Sequence, residues 1–166
     1  MTLPTHLSPH SCPMTYSLTQ LKPDDLALAQ ELIQAWNLDE GGEKGKLPRA
    51  PYLKSLLKKD DFYVSVALVE GKVVGGLTGY ELPMFDREVR EMFLYEIGVI
   101  AAFRQHGIAR ALIEALKAYC HQRGITVIFV GTSLDNDAAR KLYESTGGEL
   151  EVIPWFTYEL GEKGKQ

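Results

Sequence analysis

Hydrophobic and polar positions alternate or recur at helical spacing along most of the chain. Residues 16–21 alternate and predict a strand, and the apolar residues of 26–36 recur every three or four positions, which predicts a helix. Residues 39–51 are rich in Gly, Lys and Pro and predict a long loop. Residues 52–57 predict a short helix after it.

The middle of the chain predicts a hairpin, a central strand and a long helix. Residues 62–69 and 73–82 are apolar strands around a Glu-Gly-Lys turn. Residues 92–99 are apolar on both faces, which is typical of a strand inside a sheet. Residues 108–121 carry one apolar helical face, and Gly124 ends that helix.

The last third predicts a buried strand over 125–130 and a helix through Tyr143 that Asn136 or Asp135 caps. One or two closing strands are predicted over 150–160. The order β-α-α-β-β-β-α-β-α-β predicts a mixed α/β fold in a single domain. We expect the domain to cover residues 15–160, between a flexible extension over 1–14 and a flexible tail over 161–166.

Composition removes several classes of function. Of 166 residues, 45% are hydrophobic and 24% are charged, and the net charge of −4 does not favour nucleic-acid binding, for which a basic stripe is typical. No apolar run reaches the roughly 18–20 residues of a membrane span. Cys12 and Cys120 form neither a disulfide framework nor a metal motif. We expect a cytoplasmic protein with no metal, no nucleic acid and no membrane as partner.

The junction between the central strand and the long helix is a candidate phosphate site. Gly107 lets a ligand approach the backbone, and Ala109 keeps the first helical turn narrow. The N–H groups and the dipole of a helix N-terminus both favour negative charge. A strand-to-helix turn that needs one Gly is an equally good interpretation of this hexapeptide alone. The segment comprises Arg104, Gln105, His106, Gly107, Ile108 and Ala109, followed by Arg110.

Glu96 is a carboxylate in the middle of the apolar central strand. Such a group costs several kcal/mol unless it is paired or solvated. It is therefore either a structural ion pair to an Arg or Lys, or a group that faces an acceptor pocket and binds or deprotonates an amine. Strict alternation predicts Phe93, Tyr95, Ile97 and Val99 on one face, with Leu94, Glu96 and Gly98 on the other.

Acidic residues accumulate before and along this strand. Most such runs are solvated faces, but this one also suits the docking of a cationic substrate. The run contains Glu81, Asp86, Glu88, Glu91 and Glu96, and Asp135 and Asp137 can join it in space.

Two motifs together resemble those of the GNAT superfamily of N-acetyltransferases. Arg104-x-x-Gly107-x-Ala109 is similar to its coenzyme A signature, and residues 134–148 are similar to its second signature, N-x-x-A-x-x-L-Y with a terminating Gly. Residues 75–83, 94–99 and 107–113 resemble the aminoglycoside 3-N-acetyltransferase subfamily. That subfamily has Tyr-Asp where this chain has Tyr95-Glu96, and Asp-Asp-Pro-Ala where this chain has residues 136–139.

The resemblance implies a GNAT fold of six to seven strands and about four helices, acetyl-coenzyme A as cosubstrate, and a homodimer. It implies that Glu96 is the base or ammonium binder and that Tyr143 protonates the leaving thiolate. The acceptor would contact Tyr95, Glu96, Glu81, Asp135 and Asp137. The cosubstrate would contact Ile97, Gly98, Val99, Arg104, Gln105, His106, Gly107, Ile108, Ala109, Arg110, Asn136, Ala139 and Tyr143.

The acceptor implied is a small-molecule amine, first of all the 3-amino group of an aminoglycoside. Another small amine or polyamine and a protein lysine are the alternatives within enzymes. A coenzyme A-binding sensor without turnover is the alternative from another class.

Overall fold

The computed structural model describes residues 14–39 and 47–161. The predicted extension and tail lie almost wholly outside these residues. The described part has five strands, four α-helices and one 3₁₀ turn, Ala101–Phe103. The strands are β1 (Ser17–Gln20), β2 (Phe62–Val69), β3 (Lys72–Pro83), β4 (Arg90–Val99) and β5 (Ile128–Phe129), and the helices are α1 (Leu26–Asp39), α2 (Ala50–Leu57), α3 (Ile108–Gln122) and α4 (Asp137–Ser145).

The strands form one mixed sheet in the order β1-β2-β3-β4-β5. The first four strands are antiparallel neighbours. β5 is parallel to β4 and pairs with it only through Met92 with Ile128 and Phe93 with Phe129. The predicted mixed α/β single domain is confirmed, with five strands in the described part instead of six to seven.

Helices cover both faces of the sheet. On the face that we call the α1 face, Leu32 of α1 and Leu57 of α2 pack against Val66 of β2. On the opposite α3 face, a larger core joins Leu112 and Leu116 of α3 to the sheet. In the described residues, no helix is both long and apolar enough to cross a bilayer.

Of the two strand predictions near the C-terminus, one is wrong in extent and the other is wrong altogether. The strand predicted over 125–130 is reduced to two residues, and 150–160 contains no strand and is exposed. An alternating pattern indicates which side chains share a face, but a strand also needs a neighbour for its backbone groups. The bounds predicted for the loop over 39–51 are wrong at both ends, because Asp39 belongs to α1 and α2 starts at Ala50; residues 40–46 lie outside the described part.

A β-bulge interrupts β4 and corrects the predicted facing of its side chains. Gly79 is opposite Leu94 and Thr78 is opposite Glu96, so Tyr95 is the extra residue in the register. Tyr95 and Glu96 therefore both lie on the α1 face. The resulting sets are Phe93, Tyr95, Glu96 and Gly98 on the α1 face, and Met92, Leu94, Ile97 and Val99 on the α3 face.

Candidate functional site

The edge of β4 that faces β5 is open over its second half. Met92 N–H still bonds to the Val127 carbonyl oxygen at 2.9 Å, but β5 ends after Phe129. Ile100 N–H points the other way and bonds to the Val74 carbonyl oxygen of β3 at 2.9 Å. Because backbone groups alternate in direction along a strand, those of Ile97 and Val99 point to the open edge. An extended ligand can bond there as a strand would.

Gly98 permits the close approach of α1 to this strand. Trp36 Nε1 donates a hydrogen bond to the Gly98 carbonyl oxygen at 3.1 Å. A Cβ at position 98 would lie 2.7 Å from that indole nitrogen, so a larger residue would displace Trp36. Gly98 therefore positions the strand against α1, and its carbonyl oxygen is already bonded to protein.

The loop from Gln105 to Gly107 presents backbone N–H groups that donate to no other described residue. Gln105 and Gly107 have φ angles of 62° and 80°, in the left-handed region that Gly adopts most readily. Gly107 caps α3 without a side-chain bond, and the first bond of the helix joins Ala111 N–H to the Gly107 carbonyl oxygen at 3.0 Å. The preceding N–H groups of the first turn are available to an anion.

Arg104 is fixed at the base of this loop by a residue that sequence reasoning missed. Its Nε donates to the Val99 carbonyl oxygen at 2.8 Å, and its guanidinium pairs with Asp39 at the end of α1. The same Asp39 carboxylate accepts from Ala101 N–H at 2.6 Å. His106 Nδ1 donates to the Arg104 carbonyl oxygen at 2.7 Å. Asp39 thus ties α1 to the loop across 65 positions of sequence, a spacing that no local pattern reveals.

Arg110 does not point its charge at the loop. Its Nη2 donates to the Ser145 carbonyl oxygen at 2.8 Å, and Lys117 Nζ donates to the Thr146 carbonyl oxygen at 3.1 Å. Both cations lie at the C-terminal end of α4, where the helix dipole favours positive charge. In this structure Arg110 therefore holds α4 against α3.

Helix α4 begins as the sequence predicted. Asn136 Oδ1 accepts from Ala139 N–H at 3.1 Å and so caps the helix. Asp135 is exposed and bonds to the Ser133 hydroxyl, and Asp137 is exposed and pairs with Arg140 at 3.5 Å. Each of the two acids therefore has a partner close by in sequence, Asp135 in the turn before α4 and Asp137 in the first turn of α4.

Tyr143 packs half-buried against the core on the α3 face. Burial raises the pKa of its phenol above the ordinary value of 10.0. A phenol with a raised pKa stays protonated at neutral pH and can donate a proton. The structure therefore leaves Tyr143 in the protonation state that a general acid needs.

Glu96 is exposed and accepts one hydrogen bond, from the Thr78 hydroxyl at 3.1 Å. No Lys or Arg among residues 14–39 and 47–161 lies within 4.0 Å of its carboxylate. The structural ion pair that the sequence left open is thus absent from the described part. The carboxylate is available to a ligand on the α1 face.

A row of aromatic side chains runs across the α1 face beside Glu96. The ring of Tyr95 meets those of Tyr80 and Phe93 edge to face. At the two ends of the row, Phe62 is tilted against Tyr80, and Phe93 and Phe129 stack in parallel. Tyr95 is 57% exposed, so the row offers aromatic surface next to the carboxylate. The centroid distances are 5.0 Å for Phe62 and Tyr80, 5.6 Å for Tyr80 and Tyr95, 5.5 Å for Phe93 and Tyr95, and 5.0 Å for Phe93 and Phe129.

Glu81 belongs to a different cluster, which corrects the expectation that it contacts an acceptor. Its carboxylate is 0% exposed and accepts from Arg90 at 2.9 Å, from Arg123 at 2.5 Å and from the Tyr119 hydroxyl at 2.7 Å. Burial raises the pKa of this carboxyl. The hydrogen bonds from Arg123, Tyr119 and Arg90 lower it, and together they outweigh burial, so the net pKa is below the ordinary value of 4.5. Glu81 therefore links β3 to α3 and has no surface for a ligand.

The sequence model of the acetyltransferase (GNAT) family matches residues 28–147. The chain belongs to the GNAT acetyltransferase family. An uncharacterised N-acetyltransferase of Methanocaldococcus jannaschii is 31% identical over 144 residues, which cover 84% of this chain and 63% of that relative's length.

Two solved structures of aminoglycoside acetyltransferases from uncultured soil metagenomic samples are similar to this GNAT chain. One, in complex with sisomicin, has a TM-score of 0.83 at 29% identity and covers 88% of this chain and 97% of its own. The other has a TM-score of 0.80 at 36% identity and covers 88% and 99%.

Proposed function

We propose that this GNAT chain transfers an acetyl group from acetyl-coenzyme A to an amine of a polycationic small molecule, first of all the 3-amino group of an aminoglycoside. The observation that carries the proposal is Glu96, an exposed carboxylate without a cationic partner in the described part, at a bulge of the strand whose edge is open. Family membership supports the acetyl donor, since GNAT enzymes use acetyl-coenzyme A.

The residues at the open edge fit that donor. The first-turn N–H groups of α3 and the small residues Gly107 and Ala109 suit a pyrophosphate. Among the described residues, a Cβ added at Gly107 would meet only the Tyr16 hydroxyl, at 3.9 Å, so these residues leave space beside the loop. The backbone groups of Ile97 and the N–H of Val99 lie at the open edge and suit the amide-bearing arm of the donor, while the Val99 carbonyl oxygen is bonded to Arg104.

The donor supplies an acetyl thioester, and the chain's residues supply binding and proton transfer. Glu96 binds the acceptor ammonium and removes its proton, directly or through water. A backbone N–H at the open edge stabilises negative charge that develops on a carbonyl oxygen. Tyr143, protonated at neutral pH, gives a proton to the leaving thiolate.

Three observations support a polycationic acceptor. The aromatic row beside Glu96 can bind ammonium groups through cation–π contacts and can pack against sugar rings. The net charge of −4 favours the approach of a cation. Finally, one of the two similar structures was solved with sisomicin.

The direct test is release of free thiol from acetyl-coenzyme A in the presence of sisomicin or gentamicin, spermidine, or a lysine peptide. We expect the highest kcat/KM with the aminoglycosides, and a product acetylated at the 3-amino group by NMR. Turnover only with spermidine or the peptide would show that the protein is an acetyltransferase but that its acceptor is not an aminoglycoside. Tight coenzyme A binding with no turnover on any amine would identify a sensor and overturn the proposal.

A further inference from the structure

Helix α4 carries Tyr143, and few directional contacts fix this helix against the rest of the described chain. All described backbone hydrogen bonds of residues 133–148 stay within that segment. The apolar link to the core is the packing of Leu142 and Tyr143 on the α3 face. Hydrophobic contacts are non-directional, so this packing does not by itself fix the rotation of a nine-residue helix about its axis.

Two hydrogen bonds connect residues 133–148 to other described residues, and both come from cations of α3. Arg110 Nη2 donates to the Ser145 carbonyl oxygen at 2.8 Å, and Lys117 Nζ donates to the Thr146 carbonyl oxygen at 3.1 Å. The two cations are about two helical turns apart and so share one face of α3. The last turn of α4 has no basic residue, so α3 supplies the positive charge that a helix C-terminus favours.

The two acceptor carbonyl groups lie next to Tyr143. Ser145 and Thr146 follow it within one helical turn. The Thr146 hydroxyl and the Gly148 N–H both bond to the Tyr143 carbonyl oxygen at 2.9 Å. Burial alone raises the pKa of the phenol, and no hydrogen bond from a described residue contributes to it. The place of the Tyr143 hydroxyl therefore follows the place of its helix.

Arg110 belongs to the first turn of α3, the turn whose N–H groups suit a pyrophosphate. We propose that Arg110, supported by Lys117, is a positioning residue: it fixes α4 to this turn and thereby places the Tyr143 hydroxyl relative to the donor. Its guanidinium serves the α4 carbonyl group and is not a ligand of the pyrophosphate. The inference rests on the proposed function, in which Tyr143 is the acid.

Hydrogen–deuterium exchange of the full chain without ligand tests whether Arg110 holds α4. Arg110→Met removes the donor and keeps an unbranched side chain. We expect the amides of residues 137–146 to exchange about tenfold faster, the effect of losing one charge-assisted hydrogen bond. The matched control is Lys141→Met, which removes an exposed cation of α4 itself and should leave the exchange unchanged. Unchanged exchange in Arg110→Met would overturn the inference.

Kinetics and calorimetry separate positioning from phosphate binding. Arg110→Met should lower kcat about fivefold to twentyfold, because a displaced proton donor reacts more slowly, and should leave the Kd of coenzyme A unchanged. Arg110→Lys should retain most of the activity, since one carbonyl oxygen does not need the guanidinium fork. Weaker coenzyme A binding with an unchanged kcat would assign Arg110 to the phosphates and overturn the inference.

A double-mutant cycle tests whether Arg110 acts through Tyr143. In the Tyr143→Phe background, Arg110→Met should have no further effect on kcat, because the hydroxyl that it places is absent. Additive losses would overturn the positioning role. An unchanged kcat in Tyr143→Phe alone would contradict the acid role in the proposed function, and the positioning of an acid with it. Dependence of kcat on Tyr143 but not on Arg110 would overturn the positioning alone.

Discussion

Two carboxylates on neighbouring strands show how the same side chain takes opposite roles. Glu81 on β3 is fully buried and has two guanidinium groups and a tyrosine hydroxyl as partners. Glu96 on β4 is exposed and has one hydroxyl. Tyr119 donates a hydrogen bond to Glu81, whereas Tyr143 packs on the α3 face, opposite to the face that carries Glu96. A carboxylate whose partners are all protein groups stabilises the fold, and one whose partners are missing can bind a ligand.

The largest expected effect is a loss of activity on substitution of Glu96, the carboxylate that is open to a ligand. Glu96→Gln should lower kcat/KM by about 10² to 10⁴, the usual range for loss of a general base. Its free energy of unfolding should change by less than about 0.5 kcal/mol, since the side chain is exposed. Steady-state thiol release and urea unfolding measure the two quantities. Loss of both stability and activity would mean that Glu96 is structural.

Glu81→Gln should give the reverse result. It leaves the guanidinium groups of Arg90 and Arg123 without a counter-charge, which typically costs 3–5 kcal/mol for a buried pair. We expect roughly 2–4 kcal/mol in urea unfolding, because the two arginine side chains are 50% and 35% exposed. The kcat of the folded fraction should stay near that of the unmodified protein. An unchanged urea concentration at the midpoint of unfolding would show that Glu81 does not stabilise the fold.

The two tyrosines sharpen the comparison further. Tyr143→Phe should lower kcat about tenfold to a hundredfold through loss of the proton donor, and should leave coenzyme A affinity nearly unchanged. Tyr119→Phe is the matched control, since it removes one bond to Glu81 and should lower stability by about 1 kcal/mol with kcat retained. Equal kcat values for the two variants would contradict the acid role of Tyr143.

The pH dependence of stability should also depend on Glu81. The folded pKa of this carboxyl lies below its usual value, so its stabilisation is present above the unfolded pKa and is lost as pH falls through the folded one. We expect the free energy of unfolding to decrease as the pH is lowered beyond about 4.5, and to decrease less steeply in Glu81→Gln. Parallel slopes for the two proteins between pH 6 and 3 would show that other groups dominate.

The smallest expected effect concerns Thr78, whose hydroxyl is the one described donor to Glu96. Thr78→Val removes that bond and keeps the shape of a buried side chain. We expect a decrease in kcat/KM of about twofold to fivefold, which corresponds to roughly 0.5–1 kcal/mol for one hydrogen bond. Serving as the control, Thr132→Val should leave kcat/KM unchanged, because Thr132 is exposed between β5 and α4.

Local patterns predicted most of the fold. The hairpin, the long helix and the cap at Asn136 follow from spacing within a dozen residues, and the structure agrees with them. The bulge at Tyr95 could not be predicted, because it arises from the register against Thr78 and Gly79 on another strand. The extent of β5 likewise depends on a neighbouring strand.

The candidate site shows the same limit. The motif around Gly107 and the carboxylate of Glu96 could be recognised locally, whereas Glu81 was grouped with the acidic run because its partner Arg123 is 42 positions away. Asp39, which holds Arg104 from 65 positions away, was missed for the same reason. Tertiary contacts decide whether a charged side chain is paired, and local sequence patterns do not reveal contacts between residues so far apart in the chain.

The central claim is that Glu96 takes the proton of the acceptor amine, and the pH dependence of its loss tests this most directly. The measurement is kcat/KM for sisomicin in the unmodified protein and in Glu96→Gln from pH 6 to 9. The account predicts that the ratio between the two is largest at low pH, where the amine is mostly protonated, and shrinks as pH rises. A constant ratio across this range would show that Glu96 only binds the acceptor.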